Sequence, residues 1–245
     1  MKESQMVYGI RPVVEAIRSG VEIDKIFIQS ALQGSLLQEL KDALRGKNIT
    51  VQYVPVEKLN RLTRNIHQGV IALISPIEYA NFEQVITQTI EDGEAPFVIL
   101  LDRVTDVRNL GAIARSAECA GVHAIIIPQH GSAQINEDAI KTSAGALLRI
   151  SICKESNIKS TINLAKQLGL EIFAATEKGA EIYTSTNLTK GLMIVMGSED
   201  AGVSPEIIKL CDKRLKIPIK GSIESLNVSV AAGVIMYEVV RQRGY

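Results

Sequence analysis

Hydrophobic residues follow two different patterns on either side of a polar stretch at residues 78–94. Before this stretch, short runs that mix apolar and polar positions, such as residues 23–29 and 69–75, alternate with helix-like segments. After it, the strand-length runs are almost wholly apolar and alternate with segments of helical length. These apolar runs cover residues 97–102, 124–128, 149–153, 171–176, 192–197 and 215–219. Apolar strands that alternate with helices are typical of a parallel sheet buried on both faces.

The pattern predicts an α/β fold with two domains. We expect a small α/β domain at residues 1–77 and a larger domain with a mostly parallel sheet at residues 95–245. Between them, residues 78–94 carry 5 acidic and no basic side chains and end near the turn signal Asp92-Gly93. We therefore predict that residues 78–94 form an acidic linker with one short helix.

Charge and cysteine content exclude several classes of protein. The 27 basic and 27 acidic residues give a formal net charge of +0, so a non-specific nucleic-acid coat is excluded and any nucleic-acid binding must be local. The three cysteines form no CxxC pair, which argues against a disulfide framework and against a zinc site. No run is long and apolar enough for a signal peptide or a membrane span, and we expect a soluble cytoplasmic protein.

Three polar segments follow apolar runs, where ligands bind in parallel sheets. The first contains Asn109, Gly111 and Arg115. Asn109 can cap a helix, and Arg115 lies about 1.7 turns further along that helix. Taken alone, this segment is more simply interpreted as a helix cap followed by a surface arginine.

The second segment is a glycine-flanked turn between Gly197 and Gly202, with Glu199 inside it and Pro205 placed to begin a helix. A phosphate-binding P-loop needs a lysine after its second glycine, and Val203 stands there instead. The GxGxxG fingerprint of dinucleotide-binding enzymes is also absent. An NTPase and an NAD-dependent dehydrogenase are therefore disfavoured.

The third segment is a polar loop that leads into an alanine-rich final helix. It contains Ser225, Asn227 and Ser229. One helix cap requires only one such residue, so the cluster exceeds what capping alone needs.

Together the three segments resemble the SpoU/TrmH family of the SPOUT superfamily, whose members are RNA ribose 2'-O-methyltransferases. Its first motif stands here as Asn109, Gly111 and Arg115; its second as Gly197, Glu199 and Gly202; its third as residues 217–229. Residues 8–10 and 67–70 resemble the small ribosomal-protein-like substrate-binding domain of the same family. Two residues depart from its usual pattern, Val107 in place of proline and Asp200 in place of glycine.

The resemblance implies a SPOUT α/β-knot catalytic domain with a deep trefoil knot and S-adenosylmethionine as the cofactor. The implied cofactor-binding residues are Thr176, Gly197, Ile217 and Leu226. No metal is implied. The final helix, residues 228–241, is apolar on more than one face, and together with the resemblance this predicts a homodimer assembled through the catalytic domain.

The implied reaction is transfer of a methyl group to a ribose hydroxyl, with Arg115 as the catalytic candidate. An arginine is normally protonated, so holding a phosphate or polarising the hydroxyl is chemically easier for Arg115 than acting as a base. The resemblance implies that Arg115 and the ribose are positioned by Asn109, Glu199, Ser225 and Asn227. His67 lies in the auxiliary domain, where contacting RNA or packing its loop is the favoured role.

The favoured substrate is structured RNA, with a guanosine of large-subunit (23S) rRNA as the target. The two-domain layout and residues 225–233 match the family members with that activity. A tRNA ribose methyltransferase and a non-catalytic RNA-binding ribosome-assembly factor on the same fold remain the alternatives.

Overall fold

The computed structural model of the protein describes residues 6–47, 49–177 and 181–244. The chain forms two compact units, divided between Glu78 and Tyr79. Each unit has a sheet and a core of its own. No helix of the described residues has the length and apolar character required to cross a membrane.

The first unit is a four-stranded sheet with helices on both faces. Its strands are β1 (Met6–Tyr8), β2 (Ile23–Gln29), β3 (Thr50–Val54) and β4 (Val70–Ile74), and its helices are α1 (Ile10–Arg18), α2 (Ser35–Leu44) and α3 (Val56–Leu62). The strand order is β1-β4-β2-β3, with β2 and β3 parallel and the other pairs antiparallel. Val13 of α1 and Leu40 of α2 pack with Ile26 on one face. Leu59 of α3 packs with Phe27 on the other.

The second unit contains a seven-stranded sheet in which every pair of neighbouring strands is parallel. Its strands are β5 (Phe97–Asp102), β6 (Ala124–Pro128), β7 (Ser151–Glu155), β8 (Glu171–Ala175), β9 (Glu181–Ile182), β10 (Leu192–Gly197) and β11 (Lys213–Lys216). Its helices are α4 (Phe82–Glu91), α5 (Val107–Cys119), α6 (Glu137–Thr142), α7 (Ile158–Gln167), α8 (Pro205–Ile208) and α9 (Val228–Gln242). The order is β7-β6-β5-β10-β8-β11-β9. The predicted α/β fold with a mostly parallel catalytic sheet is confirmed.

The acidic segment 78–94, expected to be a linker, contains α4, and this helix packs into the second unit. Phe82 and Ile86 lie in the same buried cluster as Val98 and Leu100 of β5. They are four positions apart and therefore share one helix face. All five acidic side chains of the segment are exposed, and two of them, Glu83 and Glu91, belong to α4.

Two of the expected local features differ in the structure. Asp106, not Asn109, caps α5, because its side chain accepts hydrogen bonds from the backbone N–H groups of Arg108 and Asn109. The last strand, expected to reach residue 219, ends at Lys216. Pro218 has no N–H to give to a strand ladder.

Helices α5 and α9 lie side by side and both begin at the carboxyl edge of the sheet. Asn109 near the start of α5 is hydrogen-bonded to Asn227, which caps α9. Further along, a Cβ atom at Gly233 would lie 3.9 Å from Ser116 Oγ, an ordinary contact. This packing brings the first and third sequence motifs together. The trefoil knot stays a prediction of the family resemblance.

Candidate active site

A cavity of about 640 Å³ opens at the carboxyl ends of β8, β10 and β11, beside the start of α9. The four residues predicted to bind the cofactor all line it, and so do two of the residues predicted for catalysis. These six residues are Thr176, Gly197, Glu199, Ile217, Ser225 and Leu226. The cavity therefore unites residues from three separate segments of the sequence.

The lining of this cavity has a definite chemical character. Apolar walls come from Met196, Leu215 and Ile235, which sequence reasoning did not identify because they read as ordinary core positions of two strands and a helix. Four carboxylates also line the cavity: Glu177, Glu199, Asp200 and Glu224. Among the described lining residues there is no lysine or arginine. Such a lining fits a ligand that combines apolar and cationic groups, as S-adenosylmethionine does, and disfavours a polyphosphate.

The turn that follows β10 requires glycine at its first position. A Cβ atom at Gly197 would lie 2.0 Å from the carbonyl carbon of Gly202 and 2.1 Å from the backbone nitrogen of Val203. Gly202 itself has φ +65°, a conformation that favours glycine. The backbone thus folds back on itself at the edge of the cavity, and the second motif has a steric reason for both of its glycines.

Asn227 joins the three motifs with one side chain. Its Oδ1 accepts the backbone N–H of Ser229 at 2.9 Å and thereby caps α9. This bond directs its Nδ2 to the opposite side, where it donates to Asn109 Oδ1 at 3.0 Å and to Glu199 Oε1. Helix capping and site assembly, weighed as alternatives from the sequence, are both performed by Asn227.

The network retains hydrogen-bonding capacity for a ligand. Within the described ranges, Asn109 Nδ2 and Glu199 Oε2 make no hydrogen bond to another residue. Asn109 is about nine-tenths buried, whereas Glu199 is exposed. One donor and one acceptor thus stand beside the cavity without a partner from the described chain. They match the two functions of a hydroxyl group, which can accept and donate.

The structure does not bring Arg115 into this network. Arg115 is exposed on α5, is absent from the cavity lining, and makes no hydrogen bond or ion pair with any residue in the described part of the chain. Ser225 lines the cavity but likewise has no hydrogen bond to the described residues. The expected positioning of Arg115 by its four polar neighbours stays a prediction.

His67 is part of the packing of the first unit. It is largely buried, its Nδ1 accepts the backbone N–H of Gly69 at 3.0 Å, and its Nε2 lies 2.9 Å from Asn60 Oδ1. Both ring nitrogens are therefore engaged in holding one loop. The described ranges also contain no group of three or more His, Cys, Asp or Glu residues that could hold a metal ion.

Comparison with known proteins covers both units. Residues 96–237 match the SpoU rRNA methylase family, and residues 6–80 match the family of RNA 2'-O ribose methyltransferase substrate-binding domains. A Staphylococcus epidermidis protein assigned to the TrmH family of tRNA/rRNA methyltransferases is 37% identical over 241 residues, which cover 98% of this chain and 97% of the relative.

Solved structures share the fold of this chain. The SpoU methyltransferase AviRb from Streptomyces viridochromogenes, solved with the cofactor AdoMet, aligns with a TM-score of 0.62 and 24% identity over 97% of this chain and 89% of its own. The TrmH/SpoU tRNA modifying enzyme of A. aeolicus aligns with a TM-score of 0.55 and 31% identity over 66% of this chain and 83% of its own. The chain therefore belongs to the SpoU family of S-adenosylmethionine-dependent RNA 2'-O-ribose methyltransferases.

Proposed function

We propose that the protein methylates the 2'-hydroxyl of a ribose in structured RNA, and that the target is a guanosine of large-subunit rRNA. The observation that carries the catalytic part is the Asn109–Asn227–Glu199 network beside an apolar and acidic cavity. The choice of rRNA is supported by the two-domain layout and by the likeness of residues 225–233 to family members with that activity. S-adenosylmethionine supplies an electrophilic methyl group when bound.

The side chains around the cavity divide the work between binding and orientation. The strand ends at Thr176 and Gly197 and the loop residues Ile217 and Leu226 form the cofactor walls, and the lining carboxylates favour its positive charge. Asn109 and Glu199 offer the ribose hydroxyl one donor and one acceptor. Fixing the hydroxyl in this way contributes through orientation, which is one of the larger contributions available to a two-substrate reaction.

Arg115 has the role of holding the RNA phosphate or polarising the hydroxyl. Its guanidinium is exposed and has no partner in the described chain, so it is available to the substrate. A planar cation with several donors suits a phosphate and a neighbouring hydroxyl at once. Ser225, exposed at the cavity rim, offers its hydroxyl group to the bound ribose as a further hydrogen-bonding partner.

The first unit supplies a surface for RNA around the loop at residues 63–69. Arg11, Arg61 and Arg64 are exposed and have no ion-pair partner in the described ranges. The loop is tied to α3 by the His67–Asn60 contact, and Gln68 lies beside the start of α1, which places the three arginines around one loop. Ile66 at its tip is 85% exposed. Unpaired arginines around an apolar tip suit phosphates and an unstacked base.

A second copy of the chain is the proposed partner for α9. Val230 and Tyr237 are 51% and 52% exposed, and with the half-buried Val234 they form an apolar stripe at positions i, i+4 and i+7. The opposite side of α9 packs inside its own subunit. We expect light scattering to report twice 26.7 kDa at every concentration that supports methyl transfer. An active species of monomer mass would contradict the dimer.

One experiment tests the function and separates its alternatives. The protein is incubated with labelled S-adenosylmethionine and undermodified total RNA, and the methylated ribose is mapped. Glu199→Gln, which keeps the size of the side chain, is the matched inactive control. Label at a guanosine of large-subunit rRNA is expected. Label in tRNA would support the tRNA alternative, which the tRNA modifying enzyme among the similar structures favours. RNA binding without any label would support the non-catalytic alternative.

A cytoplasmic location, expected from the cysteines, stays part of the proposal.

A further inference from the structure

Asp102 connects the end of β5 to the far side of the turn that borders the cavity. It is the last residue of β5, stands opposite Gly197 in the sheet register, and is 6% exposed. Its Oδ2 accepts the backbone N–H of Ser204 at 2.6 Å, across 102 positions of sequence. Ser204 is the N-cap residue before α8, so one buried carboxylate anchors the exit of the turn 198–203.

Arg103 contacts the end of the same turn through a second hydrogen bond. Its Nη2 donates to the backbone carbonyl of Gly202 at 3.2 Å, and its Nε donates to Asp102 Oδ1 at 3.3 Å. The backbone of Arg103 has φ +60°, which few residues other than glycine adopt readily. A left-handed backbone at a residue other than glycine is sparsely populated and persists where the surrounding structure holds it.

Neither Asp102 nor Arg103 lines the cavity, whereas the turn that they hold does. Gly202 N–H donates to Ser198 O at 2.9 Å and closes the turn on itself. Glu199 extends from the same turn to Asn227. A displacement of Gly202 or Ser204 would therefore alter both the cavity wall and the position of Glu199.

We propose that Asp102 and Arg103 are positioning residues that hold the turn 198–203 in its cofactor-binding conformation. This inference rests on the proposed function, because the turn matters only if the cavity takes S-adenosylmethionine. Asp102 and Arg103 lie outside the cavity lining and act through the backbone of Gly202 and Ser204. The two residues will be called the Asp102–Arg103 clamp.

Loss of the clamp is expected to affect ligand binding differently from a general loss of stability. Removing it should weaken cofactor binding far more than RNA binding, since the turn forms a wall of the cofactor cavity whereas the proposed RNA surface of the first unit lies on other residues. The Arg103 side chain is almost half exposed, so Arg103→Met removes the contacts of Arg103 with the turn and with Asp102 without opening the core. Arg103→Lys keeps one cationic donor group but cannot hold both acceptors in the planar geometry of a guanidinium. Arg103→Lys should therefore retain part of the cofactor affinity that Arg103→Met loses.

The chain offers a matched control at the opposite edge of the same sheet. Asp212 accepts the backbone N–H of Ile172 at 2.8 Å and pairs with Lys166 Nζ at 2.6 Å. This repeats the chemistry of the clamp at the amino end of β8, away from the cavity. Asp212→Asn therefore removes a carboxylate with the same kinds of contact, although a more exposed one, without touching the turn.

The test uses the full-length protein and measures S-adenosylmethionine affinity by calorimetry, together with separate KM values for cofactor and RNA. In Arg103→Met and Asp102→Asn we expect a cofactor Kd raised roughly 10-fold, as for the loss of a charge-assisted hydrogen bond, with a much smaller rise in the RNA KM. Arg103→Lys should fall between Arg103→Met and wild type, and Asp212→Asn should match wild type. The amide of Ser204 should exchange faster with solvent in Asp102→Asn.

Four results would overturn the clamp. Wild-type cofactor affinity in Arg103→Met would show that the turn holds itself. Equal losses for cofactor and RNA, or an equal loss in Asp212→Asn, would show a general effect on stability. A wild-type protein that binds no S-adenosylmethionine would overturn the proposed function as well, and this distinguishes failure of the function from failure of the clamp alone.

Discussion

The side-chain amides of Asn227 and Asn109 meet at 3.0 Å although the two residues are 118 positions apart in the chain. The contact joins the cap of α9 to the first turn of α5, and Glu199 completes it from the turn after β10. A single donor group, Asn227 Nδ2, serves both partners. The arrangement can therefore be tested by a substitution that replaces this donor and spares the cap.

Asn227→Asp should stop catalysis while the fold is retained. Aspartate caps helices as well as asparagine does, but its second oxygen would face Glu199 and Asn109 Oδ1, and repulsion would separate them. We expect methyl transfer to fall ~10²-fold or more, a loss typical of misplaced catalytic groups, with a nearly unchanged Tm. Thermal unfolding and single-turnover kinetics are the measurements. Wild-type turnover in this variant would remove the network from the mechanism.

Arg115→Lys keeps the charge and loses the planar fork. If Arg115 holds a phosphate and a hydroxyl together, methyl transfer should fall by ~10² or more, because a lysine cannot contact both groups in the same geometry. Cofactor affinity, measured by calorimetry, should not change. Near wild-type turnover would mean that Arg115 is only a surface residue of α5.

Gly197→Ala should abolish cofactor binding. The added methyl group would lie 2.0 Å from the carbonyl carbon of Gly202, so the turn has to open. Gly233→Ala is the matched control, since its methyl group meets only Ser116 Oγ at 3.9 Å and alanine favours a helix. Calorimetric titration of both variants with S-adenosylmethionine tests this. Binding by Gly197→Ala at wild-type affinity would be inconsistent with the turn described above.

The three cysteines should differ sharply in reactivity. Burial, reinforced by the charge of Glu155, raises the pKa of Cys153 to about 12, and burial raises the pKa of Cys211 to about 11. The thiolate is the reactive form, so both should resist alkylation at pH 8 in the folded protein. Cys119 is exposed and should be modified first. Mass spectrometry after timed alkylation gives the order, and early modification of Cys153 would contradict it.

Glu238 should make stability depend on pH. Its hydrogen bonds to Arg241 lower the pKa of this carboxyl below the ordinary 4.5, outweighing burial, and Gln242 adds a further bond. A depressed folded-state pKa gives stabilisation that is present above the unfolded pKa and is lost as pH falls through the folded value. Below about pH 4.5, the free energy of unfolding should therefore fall more steeply in wild type than in Glu238→Gln. Parallel curves from urea titrations at several pH values would refute this.

Much of the fold was predictable because strands that are buried on both faces appear in the sequence as apolar runs of strand length. The wholly apolar runs at β5, β6 and β10 mark strands covered on both faces, and the structure confirms them at those positions. Two features escaped prediction. The two-residue strand β9 has no periodicity to detect. The packing of α4 into the second unit depends on Phe82 and Ile86, while its charges dominate the composition.

For the candidate site, the sequence predicted a set of residues, since Asn109, Glu199 and Asn227 lie in polar segments that follow apolar runs and together resemble the motifs of one family. Their catalytic roles stay a prediction, and the tertiary structure shows how the three side chains meet. Nothing local in the sequence shows that Asn227 donates to the other two, or that Asp102 reaches Ser204. A hydrogen bond between distant residues depends on strand order and register, which arise from the packing of the whole sheet and leave no periodic signal in either partner segment.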